Sequence, residues 1–156
     1  MRRIIAILLL LVLLTGSALA DQMYILSKGE VNVRKSPSTR SEVVGRFWCG
    51  FPVETDGEEK HGFAHVVGLS IENGEGWIYK GLLIEEPPMI IDGKCQICSE
   101  GRVAARKYIN GEKSKWLKPG KEVTVYAVGQ TWAITNQGYI KTEFLSINYQ
   151  IPQQEN

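Results

Sequence analysis

Two histidines and three cysteines carry most of the reactive chemistry open to this chain: His61 and His65, four residues apart, and Cys49, Cys95 and Cys98. Together, His-x3-His and Cys-x2-Cys supply four ligands of the kinds zinc prefers. Their order and separation are not those of a zinc finger. His61 falls in a polar turn beside Glu58, Glu59 and Lys60, and His65 falls on a strand, so the expectation is two solvated histidines and no metal. A Cys-x-x-Cys redox centre needs its first cysteine at a helix N-terminus within an α/β pattern, because the helix dipole lowers the thiol pKa there. Neither condition is met. Cys49 as nucleophile with His65 as base would need a catalytic domain of roughly 100 residues or more. With no Gly-x-Ser-x-Gly, no phosphate-cradling glycine loop and no convincing carboxylate pair, the chain is expected to be no enzyme and to use no cofactor.

The thiols depend on the compartment, which the first residues address. Residues 1–20 hold Arg2 and Arg3, no acid, an apolar run over 4–14, Gly16 and the small-residue ending Ala18-Leu19-Ala20. Eleven apolar residues fall short of the about 20 that span a bilayer. The pattern reads as a signal peptide cut after Ala20, so the membrane is met only transiently and the product is secreted, extracellular or in the cell envelope. Disulfides can persist there. Cys95 and Cys98, three apart on a strand, would lie about 10 Å apart at roughly 3.3 Å per residue, beyond the about 7 Å that a disulfide tolerates. They pair only across a bulge or turn. Cys49 bonded to one of them, or three reduced thiols, are the other open outcomes.

The 156 residues carry 18 Lys+Arg and 17 Asp+Glu. Without the leader, 16 basic residues face the same 17 acids, which argues against nucleic acid as a partner. The neutral average hides an asymmetry. Residues 21–86 hold seven basic and eleven acidic side chains, and 87–156 hold nine and six. Lys113, Lys115, Lys118 and Lys121 crowd one stretch of the basic half.

An internal repeat divides the chain. Gly29-Glu30-Val31-Asn32-Val33-Arg34-Lys35 returns 72 residues later as Gly101-Arg102-Val103-Ala104-Ala105-Arg106-Lys107. Phe63-Ala64-His65-Val66 answers to Trp132-Ala133-Ile134-Thr135, and Gly76-Trp77-Ile78 to Gly138-Tyr139-Ile140. Each unit consists of short β-branched and aromatic runs between turn residues, with no long apolar helical stripe. The fold class is therefore all-β, in two small units at 21–84 and 94–149. The stretch 85–93, with Pro87-Pro88, is expected to be a stiff linker, and 150–156 a polar tail.

The order Val31-Asn32-Val33-Arg34, Pro37-Ser38, Val43-Val44-Gly45, Gly50, Gly62-Phe63 and Gly76-Trp77-Ile78 through Leu82-Leu83 resembles the bacterial SH3-like (SH3b) domain. The second unit is a divergent copy, with Ala104-Ala105 for Asn-Val and Tyr108-Ile109-Asn110 for Ser-Pro-Ser. The resemblance implies two SH3-like β-barrels in tandem. Val31, Val33, Val44, Val53, Val66 and Ile78 would fill one core, and Val103, Leu117, Val123, Val125, Ile134 and Ile140 the other. Trp77, Tyr139, Phe63 and Trp132 would be framework. The resemblance also implies cell-wall peptidoglycan as partner, with an envelope protein as the alternative. The ligand-binding candidates are Trp48, Arg34, Tyr108, Trp116, Lys113, Lys115 and Lys118, since tryptophan is enriched at binding hot spots and the lysines could meet an anionic polymer.

Overall fold

The computed structural model describes residues 20–147. The leader expected at 1–20, except Ala20, and the tail expected at 150–156 lie outside the described residues. Among the described residues no helix is long and apolar enough to cross a membrane.

The structure is all-β, in two antiparallel sheets. The first is built from β1 (Asp21–Ile25), β2 (Val31–Arg34), β3 (Val43–Phe47), β4 (Pro52–Lys60), β5 (Phe63–Val67), β6 (Gly76–Tyr79) and β7 (Leu83–Ile84), in the order β3-β2-β6-β5-β4-β1-β7. The second comprises β8 (Met89–Gln96), β9 (Val103–Arg106), β10 (Lys113–Leu117), β11 (Glu122–Val128), β12 (Trp132–Thr135) and β13 (Gly138–Lys141), in the order β10-β9-β13-β12-β11-β8. Removing β7 leaves the same order twice. A single 3-10 turn follows the last long strand of each sheet, at Lys80–Leu82 and Thr142–Phe144.

Alternation explains the curvature. In β2 the side chains of Val31 and Val33 are buried while Asn32 and Arg34 are half-buried, the period of two that puts one face on a core. Phe47 on one edge strand and Leu83 on the other belong to the same buried cluster as Val33, Val53, Val66 and Ile78, so the sheet curls around a single core as an SH3-like barrel does. In the second sheet Leu117 and Ile97 close on Val103, Val123, Val125 and Ile140 in the same way. Val44 packs half-buried against the first core. Ile134 departs from expectation: it is buried, but in a third cluster lying between the two sheets.

The repeat extends to single hydrogen bonds. Arg34 donates to the Ser41 carbonyl at 2.8 Å and Arg106 to the Gly111 carbonyl at 2.7 Å. Gly50 N–H donates to Ile25 O, and Gly120 N–H to Ile97 O. These pairs fix which residues are equivalent, and they place Trp48 at the position of Lys118.

The expected linker is shorter than 85–93. Residues Met89 to Gly93 pair with β11, Met89 against Val128 and Gly93 against Val125. The half-exposed, exposed alternation along β8 is that of an edge strand covering the second core on one face. Only residues 85–88 connect the sheets outside any strand, since Pro87 and Pro88 lack the N–H groups a ladder needs.

A candidate binding cleft at the seam between the sheets

The third buried cluster joins the two units. Leu26 from the first packs with Ala127, Trp132, Ile134 and Tyr139 from the second, and Cys49, Leu82, Ile84 and Ile109 close its margins. The Tyr139 hydroxyl donates to the Leu26 carbonyl at 2.6 Å, and Ile109 N–H donates to the Gly81 carbonyl at 3.0 Å. Tyr79 and Tyr108 meet edge to face across the seam, with ring centroids 4.7 Å apart. Lys28 lies over the Tyr126 ring at 4.6 Å. Two glycines permit this approach: a Cβ on Gly81 would stand 2.9 Å from Tyr108 Cβ, and one on Gly129 would stand 2.8 Å from Ile84 Cδ1.

Where the units diverge beside this contact they leave a cleft of about 640 Å³. Met23, Ile84, Ile109 and Trp132 give it apolar surface, and Lys80, Lys141, Glu85 and Glu86 give it charge of both signs. Its lining contains no cysteine or histidine. Sequence reasoning missed the cleft, because its walls come from residues up to 118 positions apart, Met23 to Lys141. The available signal was the apolar character of Ile84 at the unit boundary and of Ile109 in a turn of the second unit.

The residues singled out from sequence occupy three neighbourhoods. Trp48 is 62% exposed in the turn that closes with Phe51 N–H donating to Trp48 O, and its ring meets Phe51 edge-on at 5.2 Å. Tyr108 belongs to the seam. Trp116, 53% exposed on β10, carries Lys113 Nζ over its ring at 4.5 Å. It lines a shallower groove with Arg102, Ala104 and Phe144. Lys115 donates to Gln137 at 3.2 Å, and Lys118 occupies the turn equivalent to that of Trp48. Arg34 spends its guanidinium on Ser41, bracing the loop after β2.

His61 is exposed in its turn, as expected, but His65 is not solvated. Its side chain is 14% exposed, its ring lies 4.8 Å from Trp77, and Nδ1 sits 2.7 Å from Asp56 Oδ2. A bulge between Thr55 and Glu59 turns Asp56 toward it. The hydrogen bond from His65, aided by the Glu58 N–H, holds the Asp56 carboxyl below its ordinary pKa. Asp56, Glu58 and His65 bring three ligand-type atoms within 4.8 Å of one another, so among the described residues these are the ones that could hold a cation.

All three cysteines are free. Cys49 lies at the seam and Cys95 against the second core, while Cys98 is exposed just beyond β8. Burial pushes the thiols of Cys49 and Cys95 up from their ordinary pKa. A raised pKa disfavours the thiolate that nucleophilic chemistry requires.

No curated protein matches the chain. Among solved structures it is similar to NlpC1 from Trichomonas vaginalis, at 19% identity and a TM-score of 0.37, over 91% of this chain and 50% of that one. It is similar also to NlpC2 from Trichomonas vaginalis, at 17% identity and a TM-score of 0.37, over 89% and 52%. The chain thus spans about half the length of each. The family comparison is confined to the first sheet, where residues 29–84 match the bacterial SH3 domain.

Proposed function

We propose that this chain is a secreted, non-catalytic binding protein whose two SH3-like modules recognise cell-wall peptidoglycan or other envelope material, without a cofactor. The seam cleft carries the reading. Concave, largely apolar sites with a few polar groups are where small ligands bind, and they favour domain interfaces. This cleft lies beside a buried contact that joins the two units, so a ligand need not order it first. The family match over residues 29–84 supports a binding module. Retention of the chain on purified wall sacculi at low salt is expected; its absence overturns the wall-binding reading.

The exposed Trp48 favours a second reading, an extracellular adaptor that contacts another protein. A stable protein partner released by Trp48→Ala, with no retention on sacculi, would select it.

A further inference from the structure

We infer that the seam cleft is a site for a short peptide with both termini free. This deepens the binding reading above and rests on it only for the location of the site. The charges on the cleft are unequally satisfied. Lys80 is paired with Glu59, and Lys141 lies 3.4 Å from Glu143. Glu85 and Glu86 form no ion pair and accept no side-chain hydrogen bond among the described residues, yet both line the cleft.

Their position is fixed from both sides. Ile84 pairs with Tyr24 in the first sheet, and Pro87-Pro88 stiffen the chain that follows. Glu85 is exposed and Glu86 half-buried beside Ile84 and Ile109, so both carboxylates are open to a ligand ammonium, which would answer them with charge-assisted hydrogen bonds.

The opposite charge is available on the same cleft. The Lys141–Glu143 pair is about half exposed on both members, and exposed pairs contribute little, so Lys141 can exchange Glu143 for a ligand carboxylate at small cost. Met23, Ile84, Ile109 and Trp132 supply apolar surface for whatever joins the two charged ends. An ammonium, a short apolar body and a carboxylate in one molecule describe a short peptide with free ends. A cleft of about 640 Å³ is within the range of small-molecule sites.

The test is titration of the purified chain with trialanine, N-acetyl-trialanine and trialanine amide, followed by calorimetry and by amide shifts of the cleft residues. Trialanine is expected to bind saturably, and blocking either end to weaken it about tenfold or more, the scale of one charge-assisted contact. The double variant Glu85→Gln/Glu86→Gln should bind the acetylated and free-amine peptides alike, and Lys141→Met should bind the amide and free acid alike. These residues are at the surface, so folding is checked by circular dichroism without expecting a change. No saturable binding of trialanine, or binding that the blocks and the variants leave unaltered, overturns the inference. Retention on sacculi, measured on the same preparation, separates the two failures. A chain that holds sacculi but ignores trialanine refutes this site alone. One that binds trialanine but not sacculi refutes only the wall reading.

Discussion

The Tyr139 hydroxyl donates a 2.6 Å hydrogen bond to the Leu26 carbonyl, joining β13 of the second sheet to the residue after β1 of the first, with both residues buried. Burial pushes the Tyr139 phenol above its ordinary pKa, because a phenolate there would lose hydration. Tyr139→Phe removes the donor and leaves a buried carbonyl unsatisfied. The expected loss is about 1–3 kcal/mol, read from the urea midpoint. The same residue sets an alkaline limit. A folded pKa above the unfolded value means that the stabilisation is complete below about pH 10 and falls as pH rises beyond it. The phenylalanine variant should lose less stability than the wild type over that range.

Gly81 controls the closeness of the seam. Its added Cβ would lie 2.7 Å from the Tyr79 ring and 2.9 Å from Tyr108 Cβ. Gly81→Ala should therefore cost about 1–3 kcal/mol, the scale of overpacking, and weaken coupling between the sheets. Calorimetry is expected to resolve two transitions where the wild type shows one. A single unshifted transition would refute the assignment of Gly81 to the seam.

Asp56 gives an acid-side dependence of the opposite sign. Its carboxyl is held below the ordinary pKa chiefly by the hydrogen bond from His65, so its contribution is present above the unfolded pKa and is lost as pH falls through the folded one. The stability difference between wild type and Asp56→Asn should shrink as pH drops below about 4. Chemical denaturation at a series of pH values measures it, and a difference that is constant with pH contradicts the pairing.

The cysteines should differ in reactivity in the order of their exposure. Under native conditions iodoacetamide should label exposed Cys98 first and Cys49, half-buried at the seam with its thiol pKa raised, last, as read by peptide mass spectrometry over time. Cys98→Ser is expected to leave stability within about 0.5 kcal/mol of wild type, as surface substitutions do.

What the residues determined alone was the unit of construction. Alternation in Val31-Asn32-Val33-Arg34, the turn residues between short β-branched runs and the return of the pattern 72 residues later are local or periodic facts. They were enough for an all-β chain and for ten of the twelve expected core residues. The tertiary structure decided how the copies meet. Ile134 and Tyr139 face the first unit rather than their own core, because Leu26, Leu82 and Ile84 reach them from fifty or more residues away. It also withdrew Arg34 into its own loop, seated His65 against Asp56 and Trp77, and extended β8 into the expected linker. The cleft followed from that docking alone: Glu85, Glu86 and Lys141 acquire a common site only when Tyr139 closes on Leu26, and no periodicity along the chain records a contact between distant surfaces.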